Sequence, residues 1–185
     1  MAPATTSARD KWVPAFRQVV DAFHVGEAHA FLAHGPGTLD YVRPATTFVA
    51  YFRKGWVSRC KIVVTYGLST GLEFHQPHMR ELFFATLGVE DPEPGKPLTG
   101  IAAAFAVAML LDLLRKADNG SACVILQRLD NMVGPRVPLD TNTLLLMEML
   151  HNAGTDEVIA ARENVLIMTA PSLADVRPEV RADTS

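Results

Sequence analysis

The sequence predicts an α/β protein, a three-layer sandwich built on a mainly parallel sheet. Three observations predict it. Short, β-branched apolar runs alternate with longer helical patterns along the chain, which implies parallel strands joined by right-handed crossovers. The run from Ala122 to Leu126, holding Val124 and Ile125, has the continuous apolar character of a strand buried on both faces. It then turns polar at Gln127, Arg128 and Asp130, and open α/β sheets bind ligands at the carboxyl ends of their strands.

Taken in order, Arg9 to His24 carries Trp12, Phe16, Val19, Val20 and Phe23 at the spacing of an amphipathic helix, which Gly26 stops. His29 to Ala33 is the first strand, and Gly35-Pro36-Gly37 after it forces a turn. Pro44 opens a helix through about Trp56 with Phe48, Val49 and Phe52 as its buried stripe. Cys60 to Tyr66 is the second strand, and Gly67 and Gly71 break the chain behind it.

Pro77 begins a helix that ends at Gly88, with Met79, Leu82, Phe83 and Leu87 on one face. The following VEDPEPGKPLTG reads as an exposed loop. Ile101 to Lys116 is a strongly apolar helix stopped by Asn119-Gly120, and the third strand follows. Asn131 to Pro138 is a loop, and Leu139 to His151 a helix capped by Asp140 or Thr141. A helical turn or second helix around Val158 to Arg162 precedes the fourth strand, Asn164 to Thr169. A short helix closes the chain, with residues 1–8 and 182–185 expected as disordered tails of one domain spanning 1–185.

Composition bounds the function. At 185 residues, with 49% hydrophobic and 20% charged residues, the chain suits one globular core. A net charge of -3 gives no electrostatic footprint for nucleic acid or an anionic membrane. The most apolar stretch, Ile101 to Leu114, is short for a membrane span and carries Asp112. The first ten residues hold no apolar leader segment. A soluble cytoplasmic protein is expected. Cys60 and Cys123 read as buried free thiols.

Candidate chemistry is thin. A phosphate-binding loop needs converging backbone N–H groups and usually a lysine. After the first strand, Gly35, Gly37 and Thr38 are offered with no lysine, and Pro36 removes a donor. GKPLT at 95–99 follows no strand. His75 and His78 straddle Pro77 at a helix start, which does not set two metal ligands on one helical face. Ser69 lacks a nucleophile-elbow context. Arg177 and Arg181, four apart on the last helix, are candidates to reach a neighbouring subunit, with Asp175, Glu179 and Asp183 available as local partners.

Four stretches, FLAHGPGTLDYV at 31–42, KIVVTYGLSTGLEF at 61–74, CVILQRLDNMV at 123–133 and ENVLIMTAPSLADVRPEVR at 163–181, together resemble bacterial AAA+ ATPases that carry a divergent P-loop-like domain ahead of their working ATPase domain. The resemblance implies that Gly35, Gly37 and Thr38 stand at the Walker A place, Gln127 and Asp130 at the Walker B end, and Thr169 at the sensor place. The Walker A lysine is missing and Gln127 stands where an acid belongs. Without those charges the phosphoryl-transfer transition state loses its main support.

The expectation is therefore a non-catalytic assembly or adaptor domain, with no metal and no resident cofactor. It would self-associate or bind a catalytic AAA+ module. Two alternatives stand beside it: weak binding of ATP and magnesium at the strand ends, and a small-molecule enzyme on a flavodoxin-like sheet.

Overall fold

The computed structural model describes residue 18 and residues 21–23, 28–34 and 60–181. The predicted turn at Gly35-Pro36-Gly37, the Pro44 helix, both tails and most of the first helix lie outside these residues. Residues 21–23 are helical, as expected for the end of that first helix.

Among the described residues five strands form one sheet. They are β1 (Ala30–His34), β2 (Ile62–Gly67), β3 (Gly71–Phe74), β4 (Ala122–Leu126) and β5 (Val165–Ala170), in the spatial order β1-β5-β4-β2-β3. The β1–β5, β5–β4 and β4–β2 pairs are parallel, and β2–β3 is antiparallel. The α/β class and the mostly parallel sheet are those the sequence predicts. β2, β4 and β5 are buried at every position, because helices cover the faces of a parallel sheet.

Beyond residues 21–23, the helices among the described residues are α1 (Pro77–Leu87), α2 (Ala103–Lys116), the single turn α3 (Asp130–Val133), α4 (Thr141–Gly154), α5 (Glu157–Ala161) and the single turn α6 (Pro178–Arg181). A 3-10 turn, Leu173–Asp175, lies between β5 and α6. Pro77 starts α1 without needing an amide partner, and Gly88 ends it at φ 73°. Asp140 caps α4 by accepting from the Thr143 amide. Asp156 caps α5 through the Val158 and Ile159 amides. Burial works against ionisation of Asp156, but those amides and Arg115 prevail and hold its carboxyl low.

Alternate strand residues divide the core. Val64, Tyr66, Val124, Leu126, Leu166 and Met168 face the layer containing α2 and α4. Phe31, Val63, Ile125, Val165 and Ile167 face the other side, where Ala22 and Phe23 pack. Asn164 is fully buried at the start of β5, and its side chain is completely used. Its Oδ1 accepts from the Ala122 amide at 3.0 Å, and its Nδ2 donates to the carbonyls of Leu114 and Ala117. One side chain thus ties the end of α2 to two neighbouring strands.

Three details differ from the sequence reading. GLEF at 71–74 is a strand where only a chain break is predicted; a three-residue turn returns it along β2. Leu82 is 41% exposed, while Phe84 is buried in its place. Phe84 stacks edge-on against Phe83 at 5.1 Å, while Met79, Phe83 and Leu87 are buried as predicted. The opening of the Asn131 to Pro138 loop is the helical turn α3. Neither cysteine is in a disulfide, as the sequence reading expects, and burial pushes the Cys60 thiol up to about 11.

Candidate functional site

The three strand ends to which the sequence points lie side by side. β5 pairs with β1 on one side, with Ala33 opposite Thr169, and with β4 on the other. Thr169 therefore sits between the end of β1 and the end of β4. Gly35, Gly37 and Thr38, beyond β1, fall outside the described residues.

Beyond Leu126 the β4 chain stays fastened to both neighbours. The Gln127 amide donates to the Tyr66 carbonyl at 2.8 Å, and the Leu129 amide to the Thr169 carbonyl at 2.8 Å. Between these anchors Arg128 adopts φ 56°, a left-handed conformation that is uncommon for a residue with a side chain. Such a conformation persists only when its surroundings hold it. Here the flanking ladder bonds and the Arg128 amide, which donates to Thr169 Oγ1 at 3.3 Å, do so. The same hydroxyl donates to the Leu126 carbonyl at 3.3 Å. Thr169, 1% exposed, thereby stitches the ends of β4 and β5 together.

Asp130 is the first acid after β4, at the start of α3. Its carboxylate faces back along its own chain. Arg128 Nε donates to one oxygen at 3.1 Å and Nη2 to the other at 2.9 Å. This fork is the strong form of the arginine–carboxylate pair. The hydrogen bond to Asp130 raises the guanidinium's already high pKa, with a smaller contribution from the charge of Asp175. Gln127, half-buried, lies over the end of β2, its Oε1 3.6 Å from where a Cβ on Gly67 would stand.

Arg128 and Asp130 border a cleft of about 310 Å³, with Arg136, Val137 and Asp175 on its other sides. Gly134 lets the walls approach. A Cβ there would come within 2.2 Å of the Asp130 carbonyl oxygen and 3.0 Å of that of Asp175. Two arginines and two aspartates face one small space, so its charges balance.

Arg177 and Arg181 both turn toward backbone. Arg177 Nη2 donates to the Val137 carbonyl at 2.8 Å, while its Nε is buried without a hydrogen-bond partner among the described residues. Arg181 Nε donates to the Val176 carbonyl at 2.6 Å. Among the described residues no three His, Cys, Asp or Glu side chains converge as a metal site. No helix among them is long and apolar enough to cross a membrane.

The sequence reading names Gln127, Asp130 and Thr169 as positions of one site; the structure joins Thr169 to Arg128 and Arg128 to Asp130, while Gln127 lies over the end of β2 and does not line the cleft. It misses Arg128 as the clamp on Asp130, although the Arg-x-Asp spacing in a non-helical stretch is a usable sign. Arg136 and Asp175 come from distant segments and carry no such sign. Compared with protein-family models the chain matches none, and no curated protein is significantly similar to it in sequence.

Proposed function

We propose that this chain is a catalytically degenerate P-loop-like α/β domain that serves in assembly or as an adaptor, in the manner of the AAA+-type machines its sequence resembles. The observation that carries the reading is the occupation of Asp130. Asp130, the first acid after β4, has both carboxylate oxygens committed to Arg128. A second support is Thr169, whose hydroxyl fastens strands where a sensor would need it free to meet a phosphate. A third is the placement of Thr169 between the ends of β1 and β4, which fits the roles the resemblance gives those strands. In this reading the domain works in the cytoplasm, holds no metal, and contributes binding surface in place of hydrolysis.

Titration with ATP and ADP in the presence of magnesium, followed by thermal denaturation, tests the proposal. The expected result is no saturable rise in Tm. A ligand at a hundred times its Kd would add about 2.7 kcal/mol, and a shift of that kind would overturn the claim. Light scattering addresses the assembly role, for which concentration-dependent self-association or association with a catalytic AAA+ module is expected.

One observation favours a second reading, weak anion binding. Arg136 shares the strand-end cleft and has no ion pair among the described residues. The two aspartates in the same cleft oppose it, which places this reading behind the first.

A further inference from the structure

A larger concavity lies beside β3, the strand at one end of the sheet. It is a groove of about 690 Å³ between α1, α2 and residues 89–101. Leu72, Phe84, Leu87 and Leu98, all buried, form its apolar floor. Along α2, Phe105, Met109, Asp112 and Lys116 recur at i, i+4, i+7 and i+11, the spacing of one helical face. Phe105 is 62% exposed and Val89, on the opposite lip, 52%. A large aromatic left in water beside an apolar trough is the composition of an interaction site.

The wall facing α2 is held in place. Arg80 donates to both oxygens of Asp91 at 2.6 Å, to the Glu93 carbonyl at 2.6 Å and to the Lys96 carbonyl. Its guanidinium lies 5.9 Å from the centre of the Phe84 ring. Further along, the Leu72 amide donates to the Leu98 carbonyl at 2.9 Å. A groove fixed in advance spares a partner the entropy of ordering it.

Its charge selects the partner. Glu90, Glu93 and Asp112 border the groove with one cation, Lys116, which is already paired with Asp112 at 2.9 Å. Neither Glu90 nor Glu93 has an ion pair among the described residues. An acidic rim repels anionic lipid and favours basic groups. The chain's own net charge of -3 disfavours a second copy. An apolar trough bounded by two helices suits a third helix laid across their side-chain ridges.

We propose that this groove docks an amphipathic helix of a protein partner, one whose apolar stripe is flanked by lysine or arginine. The proposal goes beyond the assembly reading and stands without the nucleotide-site resemblance.

The probe is a fluorescein-labelled synthetic helix of about 18 residues with leucines at i, i+3, i+4 and i+7 and flanking lysines. A matched peptide carries glutamates in place of the lysines. Fluorescence anisotropy is expected to show saturable binding of the lysine peptide, with the glutamate peptide at least about tenfold weaker. Phe105→Asp is expected to weaken binding about tenfold or more. The exposure of Phe105 leaves the fold intact, which circular dichroism checks, and Val89→Asp repeats the test from the other lip. Glu90→Lys with Glu93→Lys is expected to reverse the charge preference. Amide NMR shifts on binding are expected to cluster between residues 84 and 116.

No saturable binding of the lysine peptide overturns the proposal. So do equal affinities for the two peptides, or indifference to both lip substitutions. A dimer that Phe105→Asp dissociates in light scattering would seat a second copy in the groove and overturn it too. Each of these failures leaves the result of the nucleotide titration standing.

Discussion

The strand-end cleft and the groove at α1 and α2 are each organised by an arginine forked onto an aspartate, with opposite results. Arg128 and Asp130 are two residues apart, and their pair folds the chain end back on itself. Arg80 and Asp91 are eleven apart, and their pair reaches across to the start of a loop and holds it upright as a wall. The local pair consumes the charges that a ligand would use. The distant pair leaves a large apolar concavity in place beside it. The same chemistry closes one site and braces the other, according to the length of chain between the partners.

The largest expected effect on this contrast comes from Gly71→Ala. Gly71 has φ 72°, and a Cβ there would lie 1.9 Å from the Leu98 carbonyl oxygen, a backbone atom with no easy retreat. The substitution is expected to cost about 3 kcal/mol in urea denaturation. It should also detach residues 98–101, seen as faster amide exchange there. Were stability unchanged, the wall would not depend on that close approach.

Arg80→Ala comes next. Its guanidinium side chain is 16% exposed and that of Asp91 22%, so the change removes a sheltered pair as well as two carbonyl contacts. A loss of about 2 kcal/mol is expected by denaturation. This pair also predicts a pH dependence. The Arg80 hydrogen bond holds the Asp91 carboxyl below its ordinary range, burial opposing it more weakly. A depressed carboxylate adds stability above its unfolded value, about pH 4, and loses it as pH falls through its folded value. The gap between wild type and Arg80→Ala should therefore narrow as pH is lowered toward about 3. A gap that widens would contradict the assignment.

The smallest change in stability is expected from Asp130→Asn. The Arg128 side chain is 45% exposed, so water and salt screen the pair and the loss should stay under about 1 kcal/mol. Its value lies in a second readout. Releasing Arg128 beside Arg136 should create a weak, salt-sensitive affinity for inorganic phosphate that the wild type lacks, measurable by calorimetry. Equal phosphate binding by both proteins would show that the local pair does not close the cleft.

Legibility followed the range of the interactions. β4 was readable at both ends because a run of five apolar residues between Ser121 and Gln127 admits one strand. α1 was readable because Pro77 and Gly88 mark its ends within the sequence itself. Its buried face was readable at Met79, Phe83 and Leu87 but not at Leu82, since Leu82 and Phe84 fit the period almost equally well and only the packing around Phe83 decides between them. β3 has four residues, too few for a period to emerge. Its sign lay in the chain break, where Gly71 follows β2 by a three-residue turn and adopts positive φ. The groove was least legible. A segment rich in proline and charge reads as loop, and nothing local announces that Arg80 will gather it up.

The single bridge between Leu72 and Leu98 has a further consequence for the sheet as a whole. β3 is its outermost strand on that flank, and an unpaired strand edge invites another chain to add to it. β3 is only four residues long, and Leu98 already takes its central amide. The segment that forms the groove wall thus shields the sheet from growing outward, so recruitment of a partner on this flank falls to side chains.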